Sequence, residues 1–261
     1  MTCIVGFTDK KNNTTWIGAD SLGSNGYTQA VESNPKVFRN STLKNVVMGS
    51  TSTFRHIDLL KYSKNLFPEI DKYKIPSGET VVNHEYMVTA FIPNIIKLFE
   101  DGIKEADKGG NFLVGIDGKL YEIQSDFSVL EPMSGYSSVG CGEVAAKGSL
   151  YATSKNFGDK LTPEEHIICA LEAAEKNCVG VQRPFVILNT KNEEVIIIGL
   201  DGKRKVIGKK KETNKKSSKK ETTSSKKLSS SKSSKNSSDS SKSPVGTVVK
   251  KFETAFETAF E

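Results

Sequence analysis

The chain opens Met1-Thr2-Cys3-Ile4-Val5-Gly6-Phe7-Thr8 and, after Lys10-Lys11-Asn12-Asn13, continues Thr14-Thr15-Trp16-Ile17-Gly18-Ala19-Asp20-Ser21. Cys3–Thr8 and Thr14–Ala19 are apolar and β-branched, and Lys10–Asn13 between them is polar. That pattern predicts a β-hairpin. It starts beside a hydroxyl residue, Thr2, and ends at a carboxylate, Asp20. Asp20–Gly26, rich in Gly, Ser and Asn, reads as a loop. Two further short strands follow at Pro35–Arg39 and Asn45–Gly49; Lys36 begins the first and Gly49 ends the second.

Outward from this region the pattern changes to helical. Thr53–Phe67 spaces Phe54, Ile57, Leu60 and Leu66 for one helix. Glu79–Asp107 is a longer apolar-periodic run that Pro93 should kink or break. Asn111–Ile116 and Lys119–Ile123 flank Asp117-Gly118, a favoured hairpin turn. Tyr136–Gly140 reads as a strand, and Glu143–Lys155 and Pro163–Asn177 as helices. The second helix has Thr162 as N-cap, Pro163 at N1 and Glu165 at N3. Pro184–Leu188 and Val195–Leu200 read as closing strands. Strands, helices, strands, helices and strands in segregated runs predict an α+β layered domain.

Composition separates a body from a tail. Of the net charge of +6, residues 209–243, with 12 Lys, 3 acidic residues and 14 Ser, carry +9 and residues 244–261 carry −1, leaving −2 on the first 208. The basic character therefore belongs to the tail. About 200 residues suffice for one core and do not demand two. The expected organisation is a folded domain over 2–208, a disordered Lys/Ser-rich linker over 209–244, and a short segment over 245–261. That segment repeats Phe-Glu-Thr-Ala at 252–255 and 256–259, so Phe252, Phe256 and Phe260 share one helical face. A solvated tail and a peptide that folds against a partner groove both fit it. The linker lysines could hold nucleic-acid phosphates, but no aromatic residues are interleaved to stack on bases. A soluble spacer is the preferred reading, with a regulatory serine-rich segment as a third.

No apolar run approaches the ~18–20 residues of a membrane helix. The N-terminus lacks the basic flank and apolar core of a signal peptide. A cytosolic protein without a membrane partner is expected. Cys3, Cys141, Cys169 and Cys178 show no CxxC spacing and read as reduced thiols. His56, His84 and His166 show no metal-ligand spacing.

Thr2, Asp20, Lys36 and Gly49 together carry chemistry. Initiator Met is normally removed before a residue as small as Thr. Thr2 would then present an α-amine and a hydroxyl on one residue. A hydroxyl needs a base, and an α-amine of pKa ~8 can take its proton directly or through one water. A nearby lysine favours the alkoxide and the neutral amine, and an aspartate holds that lysine charged and oriented. A glycine at a strand end can offer its N–H to an oxyanion. No histidine, cofactor or metal is required.

Thr-x-Ile-Val at the N-terminus, Gly-Ala-Asp-Ser after one hairpin, Lys-Val-x-Arg with its Lys sixteen residues beyond that Asp, and Val-Val-x-Gly ending thirteen residues further resemble the proteasome β-subunit family. The resemblance is nearest to the HslV-type peptidases and to the proteasome-like proteins of phages. Phe112–Ile123 resembles the family's central hairpin. Ser138-Val139-Gly140-Cys141-Gly142-Glu143 with Ala145-Ala146 resembles its Gly-Ser-Gly segment. The resemblance covers roughly residues 2–200. It implies a four-layer αββα sandwich, the N-terminal nucleophile hydrolase fold. It also implies Thr2 as nucleophile and base, Asp20 and Lys36 as the charged pair, and Gly49 as oxyanion donor. Cys141 stands where the family has a serine that positions the α-amine, with Ser138 or water as substitutes. The family's further Asp/Ser pair has no match around Asn177–Gln182.

A threonine peptidase acting on polypeptides, in a homo-oligomeric ring, is what the resemblance implies. No GxxxxGK[ST] occurs, so an ATPase unfoldase would be a separate chain. The expected location is the cytoplasm, or the host cytoplasm for a phage-encoded protein. Two other functions fit the same residues: hydrolysis of a small amide on the same fold, and a catalytically silent assembly or binding protein.

Overall fold

Apolar and β-branched residues at the N-terminus build β1 (Cys3–Asp9) and β2 (Thr14–Ala19), paired antiparallel with Val5 opposite Gly18. The computed structural model of the protein describes residues 1–43, 45–68, 82–103 and 109–208. The expectations for 209–261 and for the ends of the Glu79–Asp107 run lie outside them, as does Lys44, which by fold-level analogy belongs to the rim of a substrate pocket. A small hairpin follows, β3 (Leu22–Ser24) with β4 (Gln29–Val31); β3 lies within Asp20–Gly26, which the sequence reads as loop. Next come β5 (Val37–Arg39), β6 (Val47–Ser50) and α1 (Phe54–Tyr62), which Thr53 caps by accepting from His56 N–H. α1 ends at Ser63, short of the predicted Phe67. Leu66 and Phe67 are buried from the turn beyond it.

The second helical run starts at His84, capped by Asn83. It passes from α2 (His84–Tyr86) through a π-helical segment, Met87–Phe91, into α3 (Ile92–Gly102). Pro93 has no N–H to give the Thr89 carbonyl, and the helix widens one turn before it, with Ile92 N–H reaching Met87 O. The predicted disturbance at Pro93 takes this form. Then come β7 (Phe112–Ile116), β8 (Lys119–Ile123), β9 (Val129–Leu130), β10 (Tyr136–Gly140), α4 (Glu143–Asn156), α5 (Pro163–Asn177), β11 (Phe185–Asn189), β12 (Val195–Ile198) and β13 (Arg204–Ile207). Thr162 and Glu165 form the predicted capping box of α5. Asp117 and Gly118, at φ 49° and 72°, make the predicted tight turn between β7 and β8.

Two antiparallel sheets result, ordered β10-β1-β2-β11-β12-β13 and β5-β6-β7-β8-β9. Cys3, Val5, Phe185 and Ile187 of the first face Leu150 of α4 and Ile167 and Leu171 of α5. Ile57 and Leu60 of α1 and Ile95 and Phe99 of α3 pack on Met48, Phe112 and Val114 of the second. Between the sheets lie Ile4, Ile17, Ala19, Val37, Val47, Leu113, Leu120 and Val139. This is the four-layer αββα arrangement. It explains why β1, β7 and β11 read as almost continuous apolar runs, since both their faces are covered. Among the described residues no helix is long and apolar enough to cross a membrane.

Candidate active site

The sheet registers place the site residues at one end of the sandwich. Cys3 pairs with Gly140, and Ile4 with Ala19. Thr2 just before β1 therefore lies between Asp20 just after β2 and Cys141 just after β10. Lys36 enters from the other sheet, immediately before β5. Thr2, Asp20 and Lys36 retain 7%, 1% and 2% of their surface.

Lys36 Nζ donates to both Asp20 oxygens, at 3.0 and 2.9 Å. The same carboxylate accepts the N–H of Cys3 at 2.8 Å and of Leu22 at 3.0 Å. Burial pushes the Asp20 carboxyl up; Lys36 and the two backbone donors pull against it. With donors directed at both oxygens, the geometry holds the carboxylate form. The Asp20 bond to Cys3 N–H also ties the carboxylate to the strand that carries Thr2.

Met1 is in place in this chain, so Thr2 N is an amide. It donates to Cys141 Sγ at 3.2 Å, and Cys141 Sγ–H donates to Thr2 O at 3.3 Å. Thr2 Oγ1 donates to Met1 O at 2.5 Å, and Lys36 Nζ donates to the same oxygen at 3.2 Å. Hydroxyl and ammonium thus converge on the carbonyl of the Met1–Thr2 bond. Met1 itself is half exposed. Gly140 allows the close approach. Its φ is +104°, and a Cβ there would stand 2.2 Å from Thr2 O.

Ser138 and Gly49 lie elsewhere. Ser138 Oγ donates to Ile4 O at 2.8 Å and lies 3.6 Å from Cys3 Sγ, on the helix-facing side of β1. It fixes β10 to β1 and is not brought to the Thr2 amine. Gly49 sits within β6, opposite Val37 on one side and Leu113 on the other. Thr51 N–H donates to Asn111 O, so alternation along the β6–β7 ladder turns the Gly49 N–H toward Leu113. The next N–H, of Ser50, donates to Lys36 O. Gly49 instead supplies room: a Cβ there would meet Ile4 Cγ2 at 2.4 Å.

Cys178 was not singled out from sequence. It ends α5, and its Sγ lies 3.3 Å from Cys141 Sγ. The segment around Asn177–Gln182 thus reaches the site through a thiol. Thr51, within the Ser50–Thr53 run that by fold-level analogy belongs to a pocket rim, lies beside Gly140 at the site's edge. Among the described residues no cluster of three His, Cys, Asp or Glu could hold a metal.

Two antiparallel sheets between helix layers, with a threonine beside a buried Lys–Asp pair at the start of the first strand, define the N-terminal nucleophile hydrolase fold of the proteasome and HslV type. The chain is similar to BPH of Thiobacillus denitrificans, solved in complex with epoxomicin (15% identity, 72% of this chain and 97% of that one, TM-score 0.56). It is similar to the HslV of Trypanosoma brucei (18%, 72% and 98%, 0.53) and to Anbu, an ancestral β-subunit, from Yersinia bercovieri (13%, 77% and 89%, 0.53). No protein-family profile and no curated protein sequence matches it.

Proposed function

We propose that this protein is a threonine peptidase subunit that hydrolyses peptide bonds through Thr2 after Met1 is removed. The observation that carries this reading is the buried Asp20–Lys36 pair, whose ammonium reaches the carbonyl joined to Thr2 N. Removal of Met1 takes away the acceptor that Thr2 Oγ1 and Lys36 Nζ share and turns Thr2 N into an amine beside Cys141.

The amine takes the Oγ1 proton, directly or through one water, and Oγ1 attacks the substrate carbonyl carbon. The tetrahedral intermediate collapses to an ester as the ammonium returns the proton to the leaving amine. Water, with the same amine as base, then hydrolyses the ester. Lys36 holds positive charge beside the nucleophile, favouring alkoxide and neutral amine. Asp20 fixes that charge in place. Cys141 takes the serine's position against the amine. A thiol is the weaker hydrogen-bond partner, so Cys141→Ser is expected to raise turnover.

The similarity to HslV and BPH supports a homo-oligomeric ring acting on polypeptides fed by a separate unfoldase. The test is hydrolysis of an unfolded polypeptide by the processed wild type beside Thr2→Ala. Fragments released only by the wild type are expected. Equal release from both would overturn the assignment.

A further inference from the structure

Two thiols meet beside Thr2. Cys141 follows β10, Cys178 ends α5, and their sulfurs stand 3.3 Å apart. The Cys141 sulfur is also within 3.2 Å of Thr2 N and 3.3 Å of Thr2 O. Cys141 is exposed and Cys178 partly so. Both line an open groove of about 660 Å³ between α4 and α5, with Gly142, Val144, Ala173 and Asn177. A small solute can therefore reach either sulfur. Cys3, one residue from Thr2, is fully buried beneath α4 and α5 and is out of its reach.

We infer, resting on the peptidase reading above, that Cys141 and Cys178 form a thiol–disulfide exchange site that switches the Thr2 nucleophile, with a low-molecular-weight disulfide as co-reactant. Cys141 loses its proton and attacks one sulfur of the small disulfide, forming a mixed disulfide and releasing one small thiolate, which takes up that proton. Cys178 then loses its proton and attacks the Cys141 sulfur. The mixed disulfide breaks, the Cys141–Cys178 bond forms and the second small thiol leaves. Two protein thiols are oxidised and one small disulfide is reduced to two thiols.

Closing the gap to a covalent bond draws the sulfurs together by about 1 Å. It also removes the S–H that Cys141 donates to Thr2 O. The Cys141 sulfur that accepts from Thr2 N is drawn toward Cys178 at the same time, so the amine is displaced from its position. Burial raises the Cys141 thiol; the hydrogen bond from Thr2 N–H and, to a smaller extent, the positive N-terminus pull it back down.

The test incubates reduced, processed full-length protein with oxidised glutathione, blocks free thiols and digests with trypsin. Cys141 falls in peptide 120–147 and Cys178 in 177–191, apart from Cys3 and Cys169. The expected product is a disulfide-linked pair of these peptides. Labelling of Thr2 by a peptide epoxyketone should fall about tenfold or more once its base is mispositioned and recover with dithiothreitol. In Cys178→Ser, reduced-state labelling should stay near wild type, and glutathione should remain on 120–147 because nothing resolves it. Wild type that keeps stable glutathione adducts, or free thiols, without the linked pair would overturn the exchange site. A linked pair with unchanged labelling would overturn the switch. Reduced protein that never labels would refute the peptidase reading, and the switch with it, while the linkage is still read by mass.

Discussion

The Asp20–Lys36 pair gives the sharpest expectations at the scale of single residues. Lys36→Ala leaves a buried carboxylate without its cation, which typically costs about 3–5 kcal/mol. Chemical denaturation should show that loss. Asp20→Asn combined with Lys36→Met removes both charges and should recover most of the stability but none of the Thr2 reactivity. A Lys36→Ala protein as stable as wild type would contradict the burial and pairing described. Gly49→Ala forces a methyl against Ile4 Cγ2 and should cost about 1–3 kcal/mol by overpacking, read as a lower denaturant midpoint. Thr2, Asp20 and Lys36 were legible in the sequence because each adjoins a strand end, and strand ends show as changes from apolar to polar residues; Cys141 was indicated only by the family resemblance. The direction of the Gly49 N–H was not, because it depends on the register of β6 with β7, which is more than sixty residues away in the chain. Cys178 escaped for a similar reason: its neighbour Cys141 is 37 residues away, and no spacing rule links them.

Among the elements, β1 and α5 make separable predictions. Burial pushes the Cys3 thiol from 9.0 up to about 12. A raised folded value means the contribution is whole below pH 9 and is lost as pH rises from 9 toward 12. Wild type should therefore lose up to about 4 kcal/mol across that window that Cys3→Ala does not lose, measured as the difference between their denaturation curves. Equal curves would contradict a buried neutral thiol. Thr162→Ala removes the α5 cap that Glu165 reciprocates and should cost about 1 kcal/mol. The long strands and the helices were legible from period and caps. β3, β4 and β13 were not: they are three or four residues long, too short to show apolar alternation, and β4 and β13 are largely exposed. The π-helical turn before Pro93 was legible only as a disturbance, since proline fixes where a hydrogen bond is missing and the surrounding packing decides how the helix absorbs it.

For the whole molecule, segregated strand and helix runs were enough to indicate layers. Sequence pattern alone does not show which sheet face meets which, because β1, β7 and β11 are apolar on both sides. The charge split leaves the first 208 residues at −2, so any attraction to polyanions should reside in 209–243 and weaken steeply with salt. The ring-forming peptidase proposal predicts that the full chain sediments as a homo-oligomer; a monomer would favour the small-amide hydrolase. The most direct measurement is intact mass of the purified protein before and after a peptide epoxyketone, which needs both the hydroxyl and the free amine of an N-terminal threonine. Loss of Met1 and gain of one adduct, absent from Thr2→Ala, is the predicted result. Retained Met1, or processed protein that takes no adduct, would contradict Thr2 as an activated nucleophile.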